Sequence, residues 1–516
     1  MTARRLCKVF VSVGLLAYAA VILVPMVAFV VRVICDWGAL ADKLPVAPTE
    51  QGFFLSERQW ALMLKTFALV TAAVIAALVL SLPAAYAVGR SVPPSLRPFV
   101  PSSLLFTLVV LPLLLSPMVL TFGWQSFWKP TDSNPWDSWA PYARCVWNWA
   151  SWAWPIPAII IGSGWSRIGT RAYESALLVS SPAAAFMAAV MPNLLRHVLV
   201  SALILGVVFL GEYTVPHAHG LIVIATEMLA TSVSVSPAEA LRLSWPLIVL
   251  LFLLMLFIRW FLSSSLHPRD DARPIDAVRS FRGATAVVVG MLVVTVGFPI
   301  VRLAWRSTLI AEMVEALATY HSELLGTLAV CLAVGIVISL IGVACAANDR
   351  WLIAGIATAC LPALAPGALV GEAVLAAYQS IDCIYNYWPI VVIGLTARYT
   401  WIGLFAAWLA VRSESKDMID SAALDVADFP TARIIVTMGG HWPVILCGGF
   451  IASAMAMADV AVVTIVQVPE PRMISTILIE KFHRFETPML VAMSLWMVAA
   501  VAPGAILAAI VFGRRG

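Results

Sequence analysis

Apolar residues run along this chain in long unbroken blocks separated by short polar or basic stretches; they neither alternate nor keep to one face. Coiled as a helix, a block of about 20 apolar residues matches the ~30 Å of hydrocarbon in a bilayer. Lipid leaves every backbone polar group to be satisfied within the protein, and continuous blocks select helices over a barrel. The blocks predict twelve spans: roughly 9–34, 60–88, 102–123, 152–169, 194–215 and 243–262, then 284–305, 324–347, 351–373, 388–410, 444–468 and 488–512. The run over 9–34 is too long for the apolar core of a signal peptide and is read as an uncleaved first span. Between the sixth and seventh blocks lies HPRDDARPIDAVRSFRG, His267 to Gly283, the one long charged linker. The expected fold is all-α and polytopic, with segments 1–265 and 284–516 joined by a linker over 266–283.

The two segments share landmarks in the same order, which predicts tandem six-helix repeats. LKTFALVTAAVIAALVLSLPAAYAVGR, Leu64 to Arg90, parallels LGTLAVCLAVGIVISLIGVACAANDR, Leu325 to Arg350. LPLLLSP, Leu111 to Pro117, parallels LPALAP, Leu361 to Pro366. Two mildly polar islands follow, Tyr173 to Asn193 and Ile419 to Pro443, and after each comes an acid inside an apolar run, Glu212 and Asp459. An even number of spans per repeat gives both copies the same orientation, so both islands face one side. The basic residues, including Arg269, Arg273, Arg279 and Arg282 of the linker, favour a cytoplasmic N-terminus, C-terminus and island pair.

Each island opens with an acid and small residues, Glu174-Ser175-Ala176 and Asp420-Ser421-Ala422, and is then broken by a proline, Pro182 or Pro430. An acid in the first turn suits the helix macrodipole, and proline ends a helix just before itself. Ser181 and Asp428 are placed to cap the restart. The expected product is a bent pair of short helices with small residues outward.

The second island resembles the EAA loop of ABC-importer permeases: acid, two small residues, Asp425 five positions after the acid, then an apolar helix. The whole chain resembles the fused two-repeat permeases of the ferric iron and thiamine importer type. Departures are Val426 and Ser180 at the family's glycine, Val179 at the place of the Asp, and Gly439 near the place that Pro192 holds in the first copy. The resemblance implies a bacterial cytoplasmic-membrane subunit with no cofactor of its own. Two copies of a separate ATP-binding cassette subunit would carry ATP and Mg, and an extracytoplasmic solute-binding protein would deliver ferric ion, thiamine or another small solute. It further implies that the islands couple nucleotide-driven closure to the bundle, and that the acid of each fifth span, Glu212 and Asp459, lines the route.

Composition agrees with the blocks and narrows the chemistry. The chain of 516 residues is 62% hydrophobic and 12% charged, with a mean hydropathy of +0.95. The basic residues are dispersed, giving no expectation of nucleic acid. The eight cysteines are scattered without a CxxC pair and read as small buried hydrophobes. No glycine directly precedes any of the six lysines, so there is no GxxxxGK phosphate loop, and neither HExxH nor GxSxG occurs. The chain is expected to be a transport subunit, not an enzyme, with no catalytic residue and no metal site. A carboxylate in a span costs about 2.5–3.5 kcal/mol on insertion scales, so Glu212 and Asp459 either bond between helices or face a polar path. Glu372 and Arg398 are further intramembrane candidates. An ion-coupled secondary transporter is the alternative, with Glu212 and Asp459 as coupling acids. Eight tryptophans between Trp124 and Trp154 predict an interfacial belt, or else a docking surface.

Overall fold

The computed structural model describes residues 3–43, 55–89, 102–125, 127, 138–166, 170–234, parts of 243–256, 281–305, 308–412, 414, 416–426, 429–470, 472–484 and 487–513. Every regular element among them is helical. Seven helices are long and apolar enough to cross a membrane: Cys7–Arg32, Glu57–Val88, Leu194–Gly211, Ala286–Ala304, Leu309–Ala346, Pro389–Val411 and Phe429–Met457. Two bent pairs raise the number to nine among the described residues. The chain is thus an all-helical, multi-pass membrane protein. Of the other expected spans, Pro155–Ser166 and Pro488–Gly504 form shorter apolar helices, and 243–262 falls largely outside the described residues.

The third and ninth blocks are not straight. Leu108–Leu114 meets Pro117–Gln125 at 87°, and Asp349–Ala363 meets Gly367–Tyr378 at 107°. Both bends fall on the matched prolines, Pro117 and Pro366. A proline lacks its N–H and drives the residue before it out of the helical region. Ala365 accordingly sits at φ −66°, ψ 144°.

The first block of each half is also interrupted. A five-residue π turn, Ala19–Leu23, precedes Val24-Pro25; another, Val293–Gly297, precedes Phe298-Pro299. The wider turn takes up the proline inside an otherwise continuous helix. These first helices pack reciprocally across the halves. Ala3–Tyr18 lies against Leu309–Ala346, and Val24–Lys43 against Gly367–Tyr378; Phe281–Leu292 lies against Glu57–Gly89, and Phe298–Ala304 against Pro117–Gln125. Tyr378 donates to the Ala20 carbonyl at 2.5 Å, opened by the first π turn, while Trp154 Nε1 reaches Thr295 Oγ1 in the second at 3.4 Å.

Each half holds a three-helix packing unit: Glu57–Gly89, Pro155–Ser166 and Met191–Gly211, then Leu309–Ala346, Pro389–Arg412 and Phe429–Met457. Small residues let the second unit close. A Cβ on Gly335 would lie 2.7 Å from the Gly449 carbonyl oxygen, and one on Gly449 2.6 Å from that of Gly335, the close approach that holds helices together in lipid. The Leu309–Ala346 helix is 38 residues long and leaves helical geometry at Tyr320, φ −121° and ψ 21°. This break separates an amphipathic segment from the span expected to begin at Leu324.

Candidate functional site: a cavity between two helix breaks

Glu212 and Asp459 occupy the same kind of position. The Met191–Gly211 helix ends at Glu212 and the five-residue helix Thr214–Ala218 begins; Phe429–Met457 ends just before Asp459 and Ala461–Ile465 begins. Each carboxylate caps the helix that follows it. Glu212 accepts from the backbone N–H of Thr214 at 2.7 Å and of Val215 at 3.1 Å, and Asp459 from that of Val462 at 2.9 Å. The free N–H groups of a helix start explain why an acid stands at each break. Beyond the short helices, the next N-terminus is tied to the matched long helix in both halves. Thr66 Oγ1 accepts from Ile224 N at 3.1 Å, and Thr327 Oγ1 from Ile474 N at 3.0 Å.

The remaining partners differ. Glu212 takes the indole N–H of Trp149 at 2.8 Å and the Thr214 hydroxyl, and Trp149 is held flat against Phe209, centroids 5.0 Å apart. Asp459 instead takes Arg398 Nε at 2.9 Å and the Tyr399 hydroxyl at 2.9 Å. Arg398 also reaches out of its own half. Its Nη2 donates to the Gly211 carbonyl at 3.3 Å, an end group of the first-half helix where a cation complements the dipole. Its Nη1 lies where a Cβ on Gly367 would come within 2.5 Å. Gly367, just past the Pro366 bend, is therefore the seat of the guanidinium.

Both breaks open on one cavity of about 240 Å³, lined by residues of both halves. Glu212, Asp459, Arg398 and Tyr399 are its polar wall, with Tyr213 and Thr214; Trp152, Trp401 and Phe405 are among its apolar lining. Of the four intramembrane candidates from the sequence, three meet here. Glu372 is not among the lining residues: it is buried on Gly367–Tyr378, with Arg32 of the first helix 3.9 Å away.

The tryptophan-rich stretch is mostly core, not the expected belt. Trp124, Trp149, Trp152 and Trp154 are buried, whereas Trp139 is exposed. Three of the four buried indoles bond buried acceptors: Glu212 for Trp149, the Leu115 carbonyl at the first bend for Trp152, and Thr295 for Trp154. An indole is buried at little cost once its N–H is bonded. Trp128 and Trp136 lie outside the described residues. His219 bonds Asn148 at 2.7 Å, and His217 meets His483 of the other half at 2.9 Å. No group of three or more metal-ligating side chains occurs among the described residues.

The islands lie at the surface. Thr170–Leu177 and Pro182–Ala189 form the expected bent pair, with Pro182 in the first turn and Ser181 accepting from Ala184 N at 3.4 Å as the cap. Glu174, Ser175, Ser180, Pro182 and Pro192 are exposed and Ala176 half-buried. The second island is a Lys416–Val426 helix and then the start of Phe429–Met457, which runs unbroken through Gly439. Where the first copy has Pro192, the chain breaks at Val190; glycine at 439 keeps its N–H and forces no break. Asp420, Ser421, Asp425 and Gly439 are exposed, Ala422 and Pro430 half-buried; Asp428 and the side chain of Val426 lie outside the described residues. Behind this island Glu414 packs beside Thr437, His441 and Arg433, one face of the long helix, and burial pushes its carboxyl up. The islands' most exposed residues were missed by the sequence reading. Leu178 and Leu424, each four residues after the island acid, are 87% and 86% exposed, and Val179 beside the first is 86% exposed. A large apolar residue at the same offset from both acids was the available signal.

Compared with known proteins, the chain matches no family model and none of the curated sequences.

Proposed function

We propose that this chain is the membrane-spanning permease subunit of an ABC importer, built from two fused six-helix repeats, with the cavity as a closed section of its path. The observation that carries the reading is the pair of surface islands, in which Glu174 and Asp420 stand past the first turn, against the sequence expectation, and a nearly naked leucine follows four residues on, Leu178 just beyond Thr170–Leu177 and Leu424 within Lys416–Val426. Around them Leu177, Val179 and Met187 in the first island, and Met418 and Phe429 in the second, are also exposed, and a contiguous apolar patch marks a contact surface. Two such knobs suit two copies of one ATP-binding partner, which would carry ATP and Mg. The repeat reading is supported by features that recur in order: π turn before proline, bend at Pro117 and Pro366, capping acid at Glu212 and Asp459, and the Thr66 and Thr327 ties. Closure of the partners would move the halves against each other at Arg398, where second-half side chain meets first-half carbonyl. Delivery by an extracytoplasmic binding protein and a bacterial inner-membrane location complete the proposal.

Leu178→Arg with Leu424→Arg, and separately Asp420→Lys, are expected to abolish ATP-dependent uptake while membrane insertion and the amount of folded chain stay unchanged. Full uptake by the double arginine variant removes the coupling role. One observation favours a second reading, an ion-coupled transporter: the two acids share the cavity. Uptake that survives ATP depletion and collapses with an uncoupler would select it.

A further inference from the structure

The helix Leu309–Ala346 is longer than a bilayer requires. It measures about 57 Å against ~30 Å of hydrocarbon. Its acids and histidine, Glu312, Glu315, His321 and Glu323, all precede Leu324, so the crossing part is the uncharged stretch from there on. The segment 309–320 is left over, and connectivity keeps it at the membrane, because the spanning helix Ala286–Ala304 ends just before it. A straight continuation would lift Leu309 about 22 Å above Leu324, more than the ~18 Å that the chain from Ala304 to Leu309 covers when fully extended. The kink at Tyr320 turns the segment off that line.

At about 3.6 residues per turn, the segment divides into three faces. Leu309, Met313, Ala316 and Tyr320 pack on the core. Trp496 Nε1 donates to the Met313 carbonyl at 3.0 Å, and Lys481 Nζ lies 5.7 Å from the centre of the Tyr320 ring. Ile310, Val314 and Leu317 form a second face, apolar and exposed. Glu312, Glu315 and Thr319 form the third, with Glu312 bonded to the Thr308 hydroxyl at 2.6 Å. A helix with one apolar and one charged face, lying between two spans, suits the plane of the membrane surface. Lipid is the occupant that continuity favours. Trp305 is exposed at the end of the preceding span, where tryptophan prefers the headgroup level, and Leu325, Leu332 and Ile336 are exposed on the crossing part of the same helix. The apolar face therefore lies between two stretches that lipid already covers.

We propose that segment 309–320 is a membrane-surface helix, with the face of Ile310, Val314 and Leu317 embedded among phospholipids at the boundary of headgroups and acyl chains. It anchors one end of the longest helix in the second packing unit. The polar face is acidic and offers anionic headgroups no attraction, so apolar burial alone holds the segment down. This needs only the multi-pass fold, not the importer reading.

A photo-cross-linking residue, p-benzoylphenylalanine, placed singly at Ile310, Val314, Leu317, Glu315 or Thr319 of the full-length chain tests the proposal in phosphatidylcholine nanodiscs, with adducts read by mass spectrometry. Phospholipid adducts are expected at the first three positions at least fivefold above those at Glu315 and Thr319. Equal yields on the two faces overturn the proposal. So does a protein adduct in place of lipid at Val314 when the same chains are illuminated in native membranes. Hydroxyl-radical labelling of the unmodified chain in the same nanodiscs needs no variant to fold. Ile310 and Leu424 are almost equally exposed in the structure, 79% and 86%, yet Ile310 is expected to be oxidised at least fivefold more slowly, shielded by lipid. Oxidation of Ile310 as fast as Leu424 overturns the proposal.

Discussion

The breaks at Glu212 and Asp459 share a backbone and differ in charge. Each interrupts a long helix, caps a five-residue helix with its carboxylate, and is followed by a segment tied to a matched threonine. Around Glu212 every other donor is neutral; around Asp459 stand a guanidinium and a phenol. The neighbours follow suit. Trp152 Nε1 closes on the bend carbonyl of Leu115 in the first half, while in the second the guanidinium of Arg398 rests on Gly367 beside the other bend. Local devices, the capping acid at each break and the proline at each bend, therefore occur in both halves, whereas the cation occurs once among the lining residues and reaches across to the other half.

Removing that cation is expected to have the largest effect. Arg398→Ala strands Asp459, whose side chain is 3% exposed, and loss of one partner of a buried pair costs about 3–5 kcal/mol. Thermal unfolding in detergent should register this, and Asp459→Asn in the same chain should restore most of it by removing the stranded charge. A double variant no more stable than the single would mean that the pair does not hold the second break. In the first half the matching test is Trp149→Phe, which keeps the ring on Phe209 and deletes the bond to Glu212. A typical hydrogen bond contributes about 1 kcal/mol, so this loss should be smaller than that of Arg398→Ala. An equal or larger loss would erase the contrast between the breaks.

What the sequence revealed follows the same division. Ser181 acts on its immediate neighbours and was legible as a cap, whereas Pro117 and Pro366 served only to align the halves, and Glu212 and Asp459 fall inside the continuous spans expected over 194–215 and 444–468, which the structure breaks at those residues. Pro25 and Pro299 were equally visible, yet a proline inside an apolar block permits a kink, a break or a π turn, and packing selects among them. Pro443 makes the point: it lies within Phe429–Met457 without ending the helix. The partners of the acids were not legible. Trp149 is 63 positions from Glu212 and Arg398 is 61 from Asp459, and no periodicity spans such distances. Reciprocal packing of the first helices was hidden for the same reason, because apolar faces in lipid carry no address.

The threonine ties offer the finest test of whether the halves are equivalent in backbone. Thr66 and Thr327 are both buried, each hydroxyl accepting from the first N–H of a helix that returns after a short helix and a turn. Thr66 passes its own proton to the Leu62 carbonyl at 2.8 Å. Replacement by valine keeps shape and removes the acceptor, leaving a buried N–H unbonded. A typical hydrogen bond contributes about 1 kcal/mol and an orphaned buried donor about 1–3 kcal/mol. Thr66→Val and Thr327→Val should therefore each lower stability by about 1–2 kcal/mol, with equal shifts in unfolding temperature. Amide exchange should locate the loss at Ile224 and Ile474. If one variant opens its segment and the other does not, the two halves differ in backbone energetics as well as in charge, and Arg398 is no longer the feature that sets them apart.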